Sequence, residues 1–316
     1  MFNFIYKNLN LLFFGFLIAF ASGFGQTFFI SLFSQDFRDT FELTNTEFGS
    51  LYSIATVLSA ITIIWAGKLI DTVSLRKYTL AIILGLSITC LMASFVFNVF
   101  FLFLVIYFLR LFGQGLMGHT SRTTMARYFN TNRGKALAIS GFGFSVGEII
   151  YPAAVVFLLL TIGWRLTWFS SSIFILIFFG IFFYFIFKIN NFKKENDRDE
   201  KIDLGEISWR RRDVLKDFKF YMYLPLSLLM SFTVTGFLFH QVYIAEIKLW
   251  TMINLAQGFI FYAISGIAGS IISGFLVDKL TGRKLIPIHL LPMAGIFIIM
   301  LFSDHVYVLY LYMAGL

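Results

Sequence analysis

The chain has 316 residues, of which 59% are hydrophobic and only 13% charged, with 43 phenylalanines and a mean hydropathy of +0.82. A soluble domain carries roughly a quarter charged residues, and so large an apolar excess has no place on a water-exposed surface, which excludes a soluble enzyme, a disordered tail and a fibre. One cysteine, Cys90, and four scattered histidines exclude a disulfide framework and a cysteine-based zinc site, and the net charge of +8 falls between apolar runs rather than along one basic face, which excludes nucleic acid as the partner.

A helix crosses the hydrocarbon with about 20 apolar residues. Such spans are predicted at 10–33, 50–70, 78–98, 99–120, 135–162, 166–187, 222–245, 253–276 and 285–303, and a tenth run begins near 305 and reaches Leu316. Barrel strands are excluded, because they would be about 10 residues long and would alternate in polarity. The first run follows Lys7 and contains Ala19-Phe20-Ala21, which mimics a signal-peptide cleavage site. Its apolar character continues through Ile30, so a retained span is expected. Trp65, Trp164, Trp168, Trp209 and Trp250 fall near predicted span ends, as interfacial anchors do.

Lysine and arginine placement gives the orientation. Threading these spans puts 21 of the 25 on one side and three on the other, with Arg110 left inside a span. By the positive-inside rule the N-terminus is cytoplasmic. The longest connection, 189–220, is rich in charge and ends in Arg210-Arg211-Arg212. It divides the chain into an N-terminal six-helix bundle (1–188), a cytoplasmic linker (189–220) and a second bundle (221–316).

The two parts share a repeat. Gly67-Lys68-Leu69-Ile70-Asp71 followed by Arg76-Lys77 ends span two; Gly274-Phe275-Leu276-Val277-Asp278 followed by Arg283-Lys284 ends span eight. Gly, Leu, Asp, Arg and Lys recur at identical offsets, which fits a carrier built from two related halves. This duplicated loop resembles the signature of the major facilitator superfamily, and the chain is similar to its bacterial members. The signature's second glycine is replaced by Ser74 and Thr281, with Gly282 one position late. The stretches Arg110-Leu111-Phe112-Gly113-Gln114-Gly115 and Gly141-Phe142-Gly143 to Pro152 are similar to the family's fourth and fifth helices. Glu148 stands where an antiporter signature would place proline. The segment Ala126-Arg127-Tyr128-Phe129 is similar to monocarboxylate and oxalate carriers.

The resemblance implies an all-α polytopic fold of two six-helix bundles, with about 9–10 of 12 helices present. The last run is about 18 Å of helix against about 30 Å of hydrocarbon, so a chain truncated within helix ten is expected. It also implies a conformational latch at the cytoplasmic face, made of Gly67, Asp71 and Arg76 and, in the second half, Gly274, Asp278 and Arg283. For Asp71 the expected partners are Arg122, Arg127 and Arg133. Gly67 and Gly274 are expected to allow close helix approach.

Ionisable residues inside a membrane mark function by default. Arg110 and Glu148 fall at depths of about 15 and 20 Å on consecutive antiparallel spans. Two readings stand. Either Glu148 carries a proton while Arg110 binds an anion, or the two form a permanent structural pair. His240 and Gln241 lie late in span seven, and Gln26 and Gln114 lie on spans one and four. Gln26, Arg110, Gln114, Glu148, Tyr151, His240 and Gln241 are therefore the candidate substrate and proton pathway.

The expected function is secondary active transport of a small organic solute, with an organic anion favoured, by alternating access and proton-coupled symport. The expected site is the inner (plasma) membrane, with the lipid bilayer, a small-molecule substrate and protons as the partners. No phosphate-binding loop occurs, and no cofactor, metal, enzymatic chemistry or obligate protein partner is expected. The alternative is a transporter-like receptor or scaffold that binds without moving solute.

Overall fold

The computed structural model describes residues 2–129, 132–189, 211–280 and 291–316, and these are helical almost throughout. The first span is two helices, Leu9–Gly25 and Thr27–Phe41, bent by 42° at a break, together called α1. Gln26 at the break is extended, with φ −77° and ψ 155°. The sequence predicted one span ending at 33. The helix instead continues past the hydrocarbon through polar Gln35, Asp36 and Arg38, because hydropathy marks the lipid boundary and not the helix end.

Helix α2 (Asn45–Thr72) starts at a capping box. The Glu47 backbone N–H donates to Thr44 Oγ1 at 3.2 Å, and the Thr44 N–H donates to Glu47 Oε2 at 2.8 Å. Helix α3 is Leu75–Ser94 and α4 is Val99–Tyr128. Within α4 the nine residues Leu109–Met117 are π-helical, a wide turn that proteins tend to keep at functional sites.

Helices α5 (133–162) and α6 (164–188) form one 56-residue helical run, Arg133–Lys188, broken at Gly163, whose φ of +76° suits glycine. Arg165 holds the turn by donating to the carbonyls of Ser94 and Val96 at 3.0 and 2.9 Å. The remaining helices are α7 (Phe218–Ile247), α8 (Met252–Leu280), α9 (Leu291–Phe302) and α10 (Val306–Gly315). Lys248, just past α7, donates to the Met300 carbonyl at 2.5 Å and pairs with Asp304, tying α7 to the end of α9. Within 189–220, residues 190–210 lie outside the described part, and Arg211–Lys216 forms a short helix.

Aromatic rings fill the first bundle. Phe29 and Phe33 from α1 pack on Trp168 of α6 at 5.4 and 4.5 Å between centroids. Trp168 is 0% exposed, which corrects its expected role as an interfacial anchor. Trp250 is also buried, its indole N–H donating to the Asp304 carbonyl at 2.7 Å. Proximity to a span end left undetermined which way either ring would face.

Close helix approach occurs at glycines other than Gly67. Gly25 of α1 and Gly113 of α4 meet backbone to backbone, and a Cβ on either would overlap the other. Gly143 of α5 sits as tightly against the Phe16 carbonyl. A Cβ on Gly67 would press on the Ile63 carbonyl of its own helix and only touch the His119 ring. In lipid, where apolar surface gives helices no drive to associate, such backbone contact supplies the packing.

Candidate functional site

A cavity of about 760 Å³ opens between α1, α2, α4 and α5. Its polar lining comes from Gln26 at the α1 break, from Thr56 and Ser59 on α2, from Arg110, Gln114, His119 and Arg122 on α4, and from Ser145 and Glu148 on α5. The sequence brought Gln26, Arg110, Gln114 and Glu148 together correctly as neighbours in space. Arg122, which the sequence named as a partner for the latch, also faces this cavity, as does His119. The signal that could have found them is spacing: 110, 114, 119 and 122 continue along one side of α4.

Arg110 is 4% exposed. Its Nη1 donates to the Gly25 carbonyl at 3.3 Å and to Thr27 Oγ1 at 3.2 Å, on both sides of the α1 break. Its guanidinium lies 5.2 Å from the centroid of the Tyr52 ring, and Tyr52 Oη donates to the same Thr27 hydroxyl at 2.9 Å. Arginine is therefore the cation that satisfies a helix terminus opened inside the membrane. Of the two readings for Arg110 and Glu148, the permanent pair does not form. Glu148 makes no hydrogen bond or ion pair with any described residue. Arg122 is exposed to the cavity, with its guanidinium 5.4 Å from the centroid of the Phe144 ring.

Tyr151, His240 and Gln241 do not line this cavity. Tyr151 is buried, donates to the Phe20 carbonyl at 2.9 Å and packs among Phe20, Phe24 and Phe29. Gln241 fastens α7 to α1. Its Nε2 donates to the Phe28 carbonyl at 3.0 Å and to Ser31 Oγ at 2.7 Å. His240 Nδ1 lies 3.4 Å from Asn45 Nδ2. Arg38 Nη2 pairs with Glu246 Oε1 at 2.6 Å and lies over the Tyr243 ring. Phe239 stacks on Phe48. Among the described residues, the bonds and ring contacts between the two halves gather at this one end, between residues 28–52 and 239–259. A clasp closes that end.

At the other end Asp71 pairs with Arg127, one of its three expected partners, and Arg127 also donates to the Ile70 carbonyl at 3.2 Å. Arg76 does not join them; its guanidinium lies 5.5 Å from the Tyr184 ring centroid. In the second copy, Gly274 falls within α8, while the Asp278 side chain and Arg283 lie outside the described residues.

A helical membrane protein of two related parts, clasped at one end around a polar cavity, is the architecture of a secondary carrier. A profile of the Major Facilitator Superfamily matches residues 15–316, and the chain belongs to that family. It is accordingly a multi-pass membrane transporter of the alternating-access kind. Its fold is similar to that of a bacterial homologue of the human lysosomal transporter Spinster, solved inward-facing and unoccupied. The TM-score is 0.70 at 16% identity, over 96% of this chain and 73% of that one. The occupied inward-facing structure of a bacterial Spinster homologue gives 0.61 at 17%, over 98% and 71%. A comparison with curated protein sequences found no match.

Proposed function

We propose that this carrier moves a small organic anion across the inner membrane, coupled to protons, by rocking the bundles 1–188 and 221–316 about the cavity. The supporting observation is the cavity's charge: two arginines on α4 face a lone carboxylate, Glu148, that no described residue neutralises. Arg122, free and exposed, receives the anion. Arg110 ties that event to the α1 break, because an anion drawing on its guanidinium competes with the Gly25 carbonyl. Glu148 takes and releases the proton, since an unpaired carboxylate at this depth is costly when ionised. Gln26 and Gln114 add amide hydrogen bonds.

The excess of lysine and arginine at the Asp71 end supports a cytoplasmic location for that end and for the N-terminus. The clasp of Arg38, His240, Gln241 and Glu246 then faces outward and forms the outer gate, while the cavity opens inward. The Asp71–Arg127 pair of the latch is already made in this state, inside the first bundle, and the repeat suggests a counterpart at Gly274, Asp278 and Arg283.

The test uses proteoliposomes loaded with a pH-sensitive dye and a panel of two- to six-carbon mono- and dicarboxylates. Substrate addition is expected to acidify the lumen, and Glu148→Gln is expected to stop that proton movement while leaving substrate counterflow. Accumulation insensitive to a protonophore in both proteins would refute proton coupling.

A further inference from the structure

The cavity is a dipole. Among the described residues its permanent cations, Arg110 and Arg122, both come from α4, and its carboxylate comes from α5, as Glu148. Arg122 sits over the Phe144 ring. Glu148 follows Phe144 by four residues and so stands one helical turn, about 6 Å, further along the same face of α5. Both opposite charges line the same cavity, yet they are not paired with each other or with any other described residue.

Glu148 also reaches a second pocket. With Ser145 it forms one wall of a space of about 250 Å³ bounded opposite by α8, with Tyr262, Ser265 and Gly266, and by Ala314 and Leu316 at the end of the chain. A carboxylate, an aromatic ring and two serine hydroxyls surround this space, and the glycine leaves room beside them. That set recognises an ammonium group: ion pairing from Glu148, attraction to the ring face of Tyr262, and lone pairs from Ser145 and Ser265.

We infer that the substrate is a zwitterion, a small organic anion that also carries an ammonium group. Its anionic end lies on Arg122, and its ammonium enters the α5–α8 seam at Glu148. This rests on the anion reading above and adds a second pole to it. A simple anion leaves the Glu148 carboxylate uncompensated, whereas a zwitterion satisfies both free charges together. Tyr262 from α8 and, across the cavity, Arg110, His119 and Arg122 from α4 are the titratable groups facing Glu148. Because α8 belongs to the second half, a bound zwitterion touches both bundles, which lets its binding bias their relative position.

Matched probes test this on the detergent-purified chain at neutral pH: 4-aminobutyrate, butyrate and butylammonium, with 3-aminopropionate and 6-aminohexanoate to vary the charge spacing. Binding is read by thermal stabilisation across a concentration series. At least one zwitterion is expected to bind tenfold or more tightly than both butyrate and butylammonium. Glu148→Gln is expected to reduce that zwitterion to the level of butyrate and leave butyrate itself unchanged, which also shows that the variant is folded. Arg122→Gln is expected to weaken both. If no zwitterion in the series exceeds butyrate, or if Glu148→Gln leaves the preference intact, the inference is overturned while the anion reading stands. Butyrate binding that survives Arg122→Gln undoes the anion reading instead.

Discussion

Gly25 and Gly113 touch through their backbones at the point where α1 breaks and α4 widens into its π-helical stretch. Neither position has room for a methyl group. The contact brings Arg110 within reach of the Gly25 carbonyl, so the irregularities of two helices are one structural feature. Gly113→Ala is expected to destabilise the protein by about 1–3 kcal/mol, the usual range for overpacking. Gly180→Ala, in a helix with open space around it, is expected to be neutral or stabilising by up to about 1 kcal/mol. Thermal melting in one detergent compares the two, and equal melting points would contradict the packing account.

The tie between Arg110 and the α1 break separates this residue from Arg122. Arg110→Gln removes a buried charged donor from the Gly25 carbonyl and Thr27 hydroxyl, a loss of about 1–3 kcal/mol, and should lower the melting temperature without any ligand. Arg122→Gln, exposed and without a hydrogen-bonded partner among the described residues, should leave the melting temperature unchanged and raise KM about tenfold or more. Reversed phenotypes would exchange the two assignments.

The ion pair of Arg38 and Glu246 crosses between the halves, with side-chain exposures of 12% and 31%. Glu246→Gln should shift the population towards the state open at this end, by about tenfold if the partly buried pair contributes about 1.4 kcal/mol. Spin labels on the outer ends of α1 and α7 would show a longer distance. The double exchange Arg38→Glu with Glu246→Arg should bring the distance part of the way back.

Asp71 and Arg127 pair at the other end, where their side chains are 55% and 34% exposed. A pair so exposed contributes about 1 kcal/mol or less, so Asp71→Asn should barely move the melting temperature. As a latch it matters in one state of the cycle, and the variant should change turnover several-fold at unchanged KM. Unchanged turnover would reduce the pair to surface decoration.

Much of this was legible in the sequence. The apolar runs gave the helices to within several residues at most ends, and the duplicated Gly-x-Leu-x-Asp loop pointed to the family. Four cavity residues, Gln26, Arg110, Gln114 and Glu148, were found because charged and amide groups are rare inside lipid. The errors share a cause. Tyr151 and Gln241 were grouped with the pathway for their polarity, but one closes on the Phe20 carbonyl and the other on Phe28 and Ser31. Trp168 was placed at the interface, yet it faces Phe29 and Phe33. Arg122 and His119 lay too close to a span end to look internal.

By itself, then, the sequence determined the class of protein: a chain that dissolves in a bilayer through repeated apolar helices interrupted by a few internal charges. Those properties follow from the solvent each segment meets, which is local. The tertiary structure decided which charges meet. Arg110 finds Gly25 across 85 residues of chain rather than Glu148 on the next helix, because helix rotation and close approach are set by glycine contacts between distant segments, to which hydropathy is blind.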